Sequence, residues 1–141
     1  MIQNLIFGNE KQQLEAIKVF RQHLSKESHL FVEILGGMVH KFVELLKDGS
    51  IKLQFEAAWA LINLTSGSSL QTKYVVDAGA LPILINLLSS PCENVQEQAV
   101  WCLGNIAGDG PEYRDLALDH GLLAPLLQYV FNEMKRTFWL I

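Results

Sequence analysis

Apolar residues recur at helical spacing along most of this 141-residue chain. The segments 10–24 and 30–46 place them every three or four residues, which puts them on one face of a helix. A further helix is predicted from near Ile51 to the breaker at 66–69 (SGSS). No stretch alternates with a period of two, the pattern typical of strands. We therefore predict an all-α chain.

Glycine, proline and serine divide the remainder into short helices. A helix around 71–77 is predicted to end before Gly79, and Pro82 lies near the start of the next helix, where proline is tolerated. The segment 89–91 (SSP) is the next breaker, and a helix from about 94 to 107 follows it. Breakers this frequent indicate short helices with tight connections, three to a cycle.

The pattern repeats with an offset of 42 residues. Residues 54–64 (QFEAAWALINL) match residues 96–106 (QEQAVWCLGNI), and Gly37, Gly79 and Gly121 each open a similar apolar run. A period of this size is typical of helical solenoids of the armadillo or HEAT kind, whose units bury their apolar faces against one another. Three helices per unit favour a right-handed armadillo superhelix of about three repeats. The predicted segments are an N-terminal segment 1–9, repeats at 10–48, 49–90 and 91–128, and a divergent tail 129–141.

The repeated helix has an apolar face and a polar face in both copies. The face predicted to be buried carries Leu53, Ala57, Leu61 and Leu64, and then Val95, Ala99, Leu103 and Ile106. The opposite face carries Glu56, Trp59, Asn63 and Ser66, and then Gln98, Trp101, Asn105 and Gly108. One such tryptophan is explained by packing under a loop. Two in register, each with an asparagine four residues later, indicate outward-facing side chains along a groove.

Neighbouring Trp/Asn pairs suit an extended peptide. Stacked helices lie ~8–10 Å apart and an extended chain advances ~3.3 Å per residue, so the pairs are about three peptide residues apart. An asparagine amide both donates to and accepts from a peptide backbone. Indole rings form walls for a lysine stem, and the cation–π attraction adds ~0.5–2 kcal/mol. Asp109, in the turn after the second copy, is placed to accept the ammonium.

The charge distribution agrees with a cationic partner. The net charge is −4, and residues 54–119 hold eight acids against the two bases Lys73 and Arg114. This disfavours nucleic acid, although an ordinary solvated acidic surface is the alternative. The two cysteines, Cys92 and Cys102, indicate no disulfide framework. No signal peptide or membrane span is evident, so no membrane partner is expected.

No cofactor, metal site or enzymatic activity is expected. The four histidines lack metal-ligand spacing, and no acid, base and nucleophile stand together. The segment 104–110 (GNIAGDG) superficially suggests a phosphate loop. It lacks the Lys-Ser/Thr ending and follows a helix, so a helix C-cap is the better interpretation.

Three segments (QFEAAWALIN, SSLQTKYVVDAGALPILINLLSSP and VQEQAVWCLGNIAGDGPEYRD) resemble the first armadillo repeats of the importin alpha, or karyopherin alpha, family of nuclear-import adaptors. The resemblance implies a partial major site for lysine-rich classical nuclear localisation signals on cargo proteins, and residence in cytoplasm and nucleus. It assigns Trp59 and Trp101 to the lysine slots and Asn63 and Asn105 to the ligand backbone. It assigns Asp109, Thr72 and the Gly108 carbonyl to the most discriminating lysine, and Ser66 and Gln98 to supporting polar contacts.

Two departures from the family pattern limit what the resemblance implies. Residues 1–10 contain no base, whereas the family recruits importin beta through a basic N-terminal segment, so that partner is not expected. Trp139 comes about four residues too early for the repeat offset and lacks a following asparagine, so no ligand role is assigned to it. The alternative function is an armadillo scaffold that binds another protein without transport competence.

Overall fold

A computed structural model describes residues 1–24 and 32–139, with side-chain surroundings for 1–24 and 37–138. Every regular element in these ranges is helical, which confirms the all-α prediction. The first residues of the helix predicted at 30–46 lie outside the described part. The helices are α1 (Ile2–Phe7), α2 (Glu10–Leu24), α3 (Val32–Asp48), α4 (Ile51–Thr65), α5 (Ser69–Asp77), α6 (Ala80–Leu87), α7 (Glu93–Gly108), α8 (Pro111–Asp119) and α9 (Leu123–Trp139).

Helices α2, α4 and α7 form the inner row of the solenoid. Helix α4 packs against α2 on one side and against α7 on the other. The shorter helices α5 and α6 connect α4 to α7, and α3 packs against α4, α5 and α6. The 42-residue offset of the sequence therefore corresponds to one step along this row.

Local sequence signals fix where these helices begin. The Ser50 hydroxyl caps α4 by accepting from the Leu53 N–H at 3.4 Å. Ser68 and Gln71 form a reciprocal capping box at the start of α5, which satisfies two N–H groups that the helix itself leaves free. Gly79 and Gly121 have left-handed φ values of 84° and 83°; Gly79 lies between α5 and α6, and Gly121 lies between α8 and α9. Only glycine takes this conformation without a steric penalty.

Gly37, the third glycine in the same register, behaves differently. It lies inside α3, which begins at Val32, rather than at a helix boundary. The apolar side chains that follow it, among them Met38, Val39 and Phe42, are buried. The sequence pattern therefore does not distinguish Gly37, which lies within a helix, from Gly79 and Gly121, which lie between helices.

The core consists of the faces that the sequence marked as buried. All eight predicted positions on α4 and α7 are 4% exposed or less, so this prediction is confirmed. Cys102 joins the core from α7 and is fully buried. The solenoid's interior is continuous from Leu5 in α1 to Leu122 before α9.

Helix α9 leaves an apolar stripe exposed. Helix α9 continues without a break from residue 128 into residue 129, where the divergent tail was predicted to begin. Its Arg136 guanidinium pairs with Glu93 of α7 at 2.5 Å, which ties the helix to the preceding repeat. The exposed apolar side chains on it are Leu123, Leu127, Val130, Phe131, Met134 and Phe138.

Candidate functional site

Two indole rings lie on the solvent-exposed face of the row formed by α2, α4 and α7. Trp59 on α4 is 38% exposed and Trp101 on α7 is 64% exposed. Both rings therefore reach solvent, as the two-faced pattern of the repeated helix predicts. The side-chain surroundings of Trp139, to which no ligand role was assigned, lie outside what the structure describes.

The ring of Trp59 already has a cationic neighbour. The Cζ of Arg21, from α2, lies 3.7 Å from the centroid of the indole. Phe55 meets the same ring edge-on, with centroids 5.8 Å apart. These contacts account for the lower exposure of Trp59, and Trp101 has neither of them within the described ranges.

Arg21 is held by a second contact, to Glu56. Its Nε donates to the carboxylate Oε2 at 2.7 Å. Glu56 is only 8% exposed, so its assignment to the polar outer face was wrong. The carboxylate lies buried because a guanidinium partner comes with it, which lowers the cost of removing it from water. The 42-residue offset places Arg21 at the register position of Asn63, but it gives no signal that Glu56 is its partner.

The two asparagines link successive helices of the inner row. The Asn63 Nδ2 donates to the Arg21 carbonyl on α2 at 3.1 Å. The Asn105 Nδ2 donates to the Ser66 hydroxyl at 3.0 Å and lies 3.4 Å from the Thr65 hydroxyl. An asparagine amide has two N–H donors and one carbonyl acceptor. The side-chain carbonyl oxygens (Oδ1) of Asn63 and Asn105 have no partner in the described part of the chain and remain free to accept from a peptide N–H.

Asp109 stands at the end of α7, beside the start of α5. It is exposed, as is Gly108 before it, and its Oδ1 accepts from the Ser69 hydroxyl at 2.9 Å. No base in the described ranges pairs with it. Asp109 therefore keeps an uncompensated charge at the surface.

The remaining predicted residues lie at different depths. Thr72 is fully buried, and its hydroxyl lies 3.5 Å from the Thr65 carbonyl and 3.4 Å from the Ser68 carbonyl. It thus supports the turn between α4 and α5 from below. Gln98 is half-buried on α7, and Ser66 is exposed at the end of α4. The structure therefore brings Asn105, Ser66 and Asp109 to one surface and places Thr72 beneath it.

Half of the acids counted in residues 54–119 are neutralised by ion pairs. Glu56 pairs with Arg21 and Glu93 with Arg136, while Asp77 and Asp115 pair with bases of their own helices. The acids without an ion pair in the described part are Glu97, Asp109, Glu112 and Asp119.

Tyr113 lies close to several acids, among them Asp109. Burial raises its pKa, and the charges of Glu112, Asp77 and Asp109 add to the effect, while Lys73 opposes it. The pKa of Lys73 is itself raised, chiefly by its hydrogen bond to Asp77. The acids near Tyr113 that have no ion pair in the described part of the chain are Asp109 and Glu112, and their charges favour a cation at this surface.

The described residues contain neither a cluster of metal ligands nor a helix able to span a membrane. They contain no group of three or more His, Cys, Asp or Glu side chains arranged to hold a metal ion. None of the described helices has the length and apolar character needed to cross a bilayer.

The fold and this surface define the class of protein. The armadillo/beta-catenin-like repeat family matches the chain over residues 37–66 and 68–108. The chain belongs to the armadillo-repeat family, as the 42-residue period predicted.

Its curated relatives are importin alpha subunits. It is 49% identical over 138 residues to importin subunit alpha-1b of Oryza sativa subsp. japonica, a match that covers 96% of this chain and 26% of that protein. It is 50% identical over 126 residues to importin subunit alpha-2 of Arabidopsis thaliana, covering 87% of this chain and 24% of that protein. The chain thus spans about a quarter of these relatives' length. The resemblance to importin alpha that the sequence indicated is confirmed.

Solved structures with the same fold include designed armadillo repeat proteins. One, in complex with the peptide (KR)4, superposes with a TM-score of 0.83 at 31% identity, covering 90% of this chain and 54% of that one. Another, described as designed for modular peptide recognition, has a TM-score of 0.83 at 27% identity, covering 90% of this chain and 54% of that one.

Proposed function

We propose that this chain binds lysine-rich linear segments of the nuclear localisation signal type, as part of an import adaptor. The observation that carries the proposal is Trp101, a 64% exposed indole one helical turn before Asn105, on the helix whose C-terminal end carries the unpaired carboxylate of Asp109. The exposed face of this ring is available to a ligand cation through a cation–π contact.

Each residue of this surface has a role in the proposal. Trp101 covers the stem of a peptide lysine, which lays its methylene groups along an apolar wall. Asp109 accepts the ammonium through the carboxylate oxygen that Ser69 leaves free. The Asn105 carbonyl oxygen accepts from a peptide N–H, and its bonds to Ser66 and Thr65 hold the amide in place. The Gly108 carbonyl is a further acceptor for the ammonium, and the space around this glycine is open, with nothing within 4 Å of where a Cβ would be.

The relatives and structural neighbours support the same ligand class. Importin alpha subunits match almost the whole chain, and a designed protein of this fold is in complex with the basic peptide (KR)4. The proposed partners are cargo proteins that carry lysine-rich signals, and the proposed location is cytoplasm and nucleus. The activity is binding rather than catalysis.

A peptide titration tests the proposal. The affinity of a lysine-rich signal peptide is measured for the wild type, Asp109→Lys and Trp101→Ala. Losses of at least about tenfold are expected, since each change removes a charged or cation–π contact. Asp119→Lys and Phe131→Ala are the matched controls, because they make comparable changes at exposed positions elsewhere. Equal affinity for all five proteins would contradict the proposal.

The alternative is a scaffold that binds another protein through α9. The exposed apolar stripe on that helix favours it, because apolar patches of this kind mark protein contacts. A pull-down compares Trp59→Ala/Trp101→Ala with Phe131→Ser/Met134→Ser. A partner retained by the first variant and lost by the second supports the scaffold, and the reverse pattern supports the peptide-binding function.

A further inference from the structure

We propose that Arg21 closes the cation slot on the α2 side of Trp59, so that this groove takes one lysine, at Trp101, and a non-cationic residue opposite Arg21. The inference rests on the proposed function and concerns which peptide positions it reads. Arg21 thus acts as a specificity-determining residue that excludes a second basic side chain.

A cation already occupies one face of the Trp59 ring, the face turned to Arg21 of α2. A cation–π contact needs the charge within about 6 Å of the ring centroid. The Arg21 Cζ lies at 3.7 Å, inside that distance. A guanidinium is planar and stacks on an aromatic face, so it covers the ring rather than touching it at one point. A second cation brought to the same face meets both a filled space and a like charge.

Arg21 is also fixed too firmly for a peptide to displace easily. Its side chain is 17% exposed, and its Nε bonds the Glu56 carboxylate, whose side chain is 10% exposed, at 2.7 Å. The Arg21 backbone is held as well, because its carbonyl accepts from the Asn63 Nδ2 at 3.1 Å. Moving the guanidinium leaves Glu56 as an unpaired, largely buried charge, which costs more than a new cation–π contact returns.

The next slot along the row is open for a reason visible in the repeat. Residues 21, 63 and 105 occupy the same register position on α2, α4 and α7, and they are Arg, Asn and Asn. The position that is arginine beside Trp59 is therefore a neutral amide beside Trp101. Trp101 accordingly keeps 64% of its surface exposed, against 38% for Trp59, and no cation covers it among the described residues.

The consequence is a ligand with unequal basic positions. Because inner-row helices are ~8–10 Å apart and extended peptide advances ~3.3 Å per residue, the position facing Arg21 lies about three residues from the essential lysine. A lysine there gains nothing, whereas a neutral or acidic side chain can face the guanidinium without repulsion.

The test uses a peptide with two lysines three positions apart and its two single lysine-to-alanine forms. In the wild type, one replacement is expected to weaken binding about tenfold and the other less than about twofold. The double variant Arg21→Gln/Glu56→Gln removes the guanidinium and leaves no unpaired carboxylate behind. In this variant the second lysine-to-alanine replacement is expected to lower the peptide affinity about tenfold as well. Lys18→Gln, an exposed base on the same helix, is the control and should behave as the wild type.

Two results overturn the inference: the second lysine contributes about as much as the first in the wild type, or its contribution stays the same when Arg21 is replaced. If neither lysine contributes in any protein, the proposed function itself fails. If the glutamine pair does not fold, Arg21→Ala/Glu56→Leu replaces it, because an apolar residue in place of the buried carboxylate needs no cation.

Discussion

The Ser69 hydroxyl donates to Asp109 Oδ1 across 2.9 Å, joining the first residue of α5 to the residue that follows α7. The bond crosses from one repeat to the next and orients a surface carboxylate. A neutral donor fixes one oxygen of Asp109 without cancelling its charge, so the other oxygen stays available to a ligand cation.

Replacing Ser69 should loosen this arrangement without unfolding the chain. Ser69→Ala is expected to weaken lysine-peptide binding about two- to fivefold, the value of one ordinary hydrogen bond, and Asp109→Asn by more. Because both residues are exposed, the free energy of unfolding should change by less than about 0.5 kcal/mol. Calorimetric titration and urea unfolding measure the two effects. Ser89→Ala, at another exposed serine, is the control.

The two tryptophans should separate stability from binding. Trp59→Ala removes contacts with Arg21 and Phe55 and is expected to cost about 1–3 kcal/mol in the free energy of unfolding. Trp101→Ala removes a largely solvated ring and should lower the free energy of unfolding by less than about 0.5 kcal/mol. It should lower the affinity for the peptide more than Trp59→Ala does. Urea unfolding of both variants checks this prediction. Equal destabilisation would contradict the packing difference described above.

The Arg21–Glu56 pair should matter most when only one partner is removed. Arg21→Ala is expected to destabilise the chain by about 3 kcal/mol, because the largely buried Glu56 carboxylate loses its counter-charge. Arg21→Ala/Glu56→Leu should recover most of that loss. Lys18→Ala, on the exposed face of the same helix, should change stability by less than about 0.5 kcal/mol. A double-mutant cycle with no coupling would exclude this account.

Cys102 should be inert in the folded chain and should make stability fall at alkaline pH. Burial raises the pKa of its thiol from 9.0 to about 12, against a smaller opposing effect of the Thr65 hydrogen bond. Below 9.0 the thiol is protonated in both states, and above it only the unfolded chain ionises, so its contribution is lost as pH rises towards 12. Cys102→Ala should show a shallower decline in unfolding free energy over this range. A thiol reagent near neutral pH should label Cys92 and spare Cys102.

The sequence predicted the solenoid because periodicity is a local property that repeats. Leu61 and Leu103 share a register, so a single helical face explains the burial of both. Trp101 was predicted to be exposed from the same argument, since its neighbours at helical spacing are polar. These features need no knowledge of which helix packs against which.

Contacts between different repeats were not accessible in this way. Arg21 and Glu56 are 35 residues apart, and nothing in the spacing of either helix places a guanidinium on a carboxylate. Thr72 was grouped with Asp109 through the family resemblance, while its burial depends on how the turn at Ser68 folds over it. Side-chain pairing across helices depends on inter-helix packing, which periodicity alone leaves open.

Gly79 and Gly121 share more than a position in the pattern, because their φ angles are nearly equal, at 84° and 83°. Two points of equal geometry, 42 residues apart, delimit an interchangeable module. A gene in which residues 80–121 are duplicated in tandem should yield a longer rod whose added unit joins at an unstrained corner. Each duplication would bring another indole and amide, with an asparagine rather than an arginine at the register position of Arg21, and so lengthen the stretch of basic peptide that the solenoid can bind.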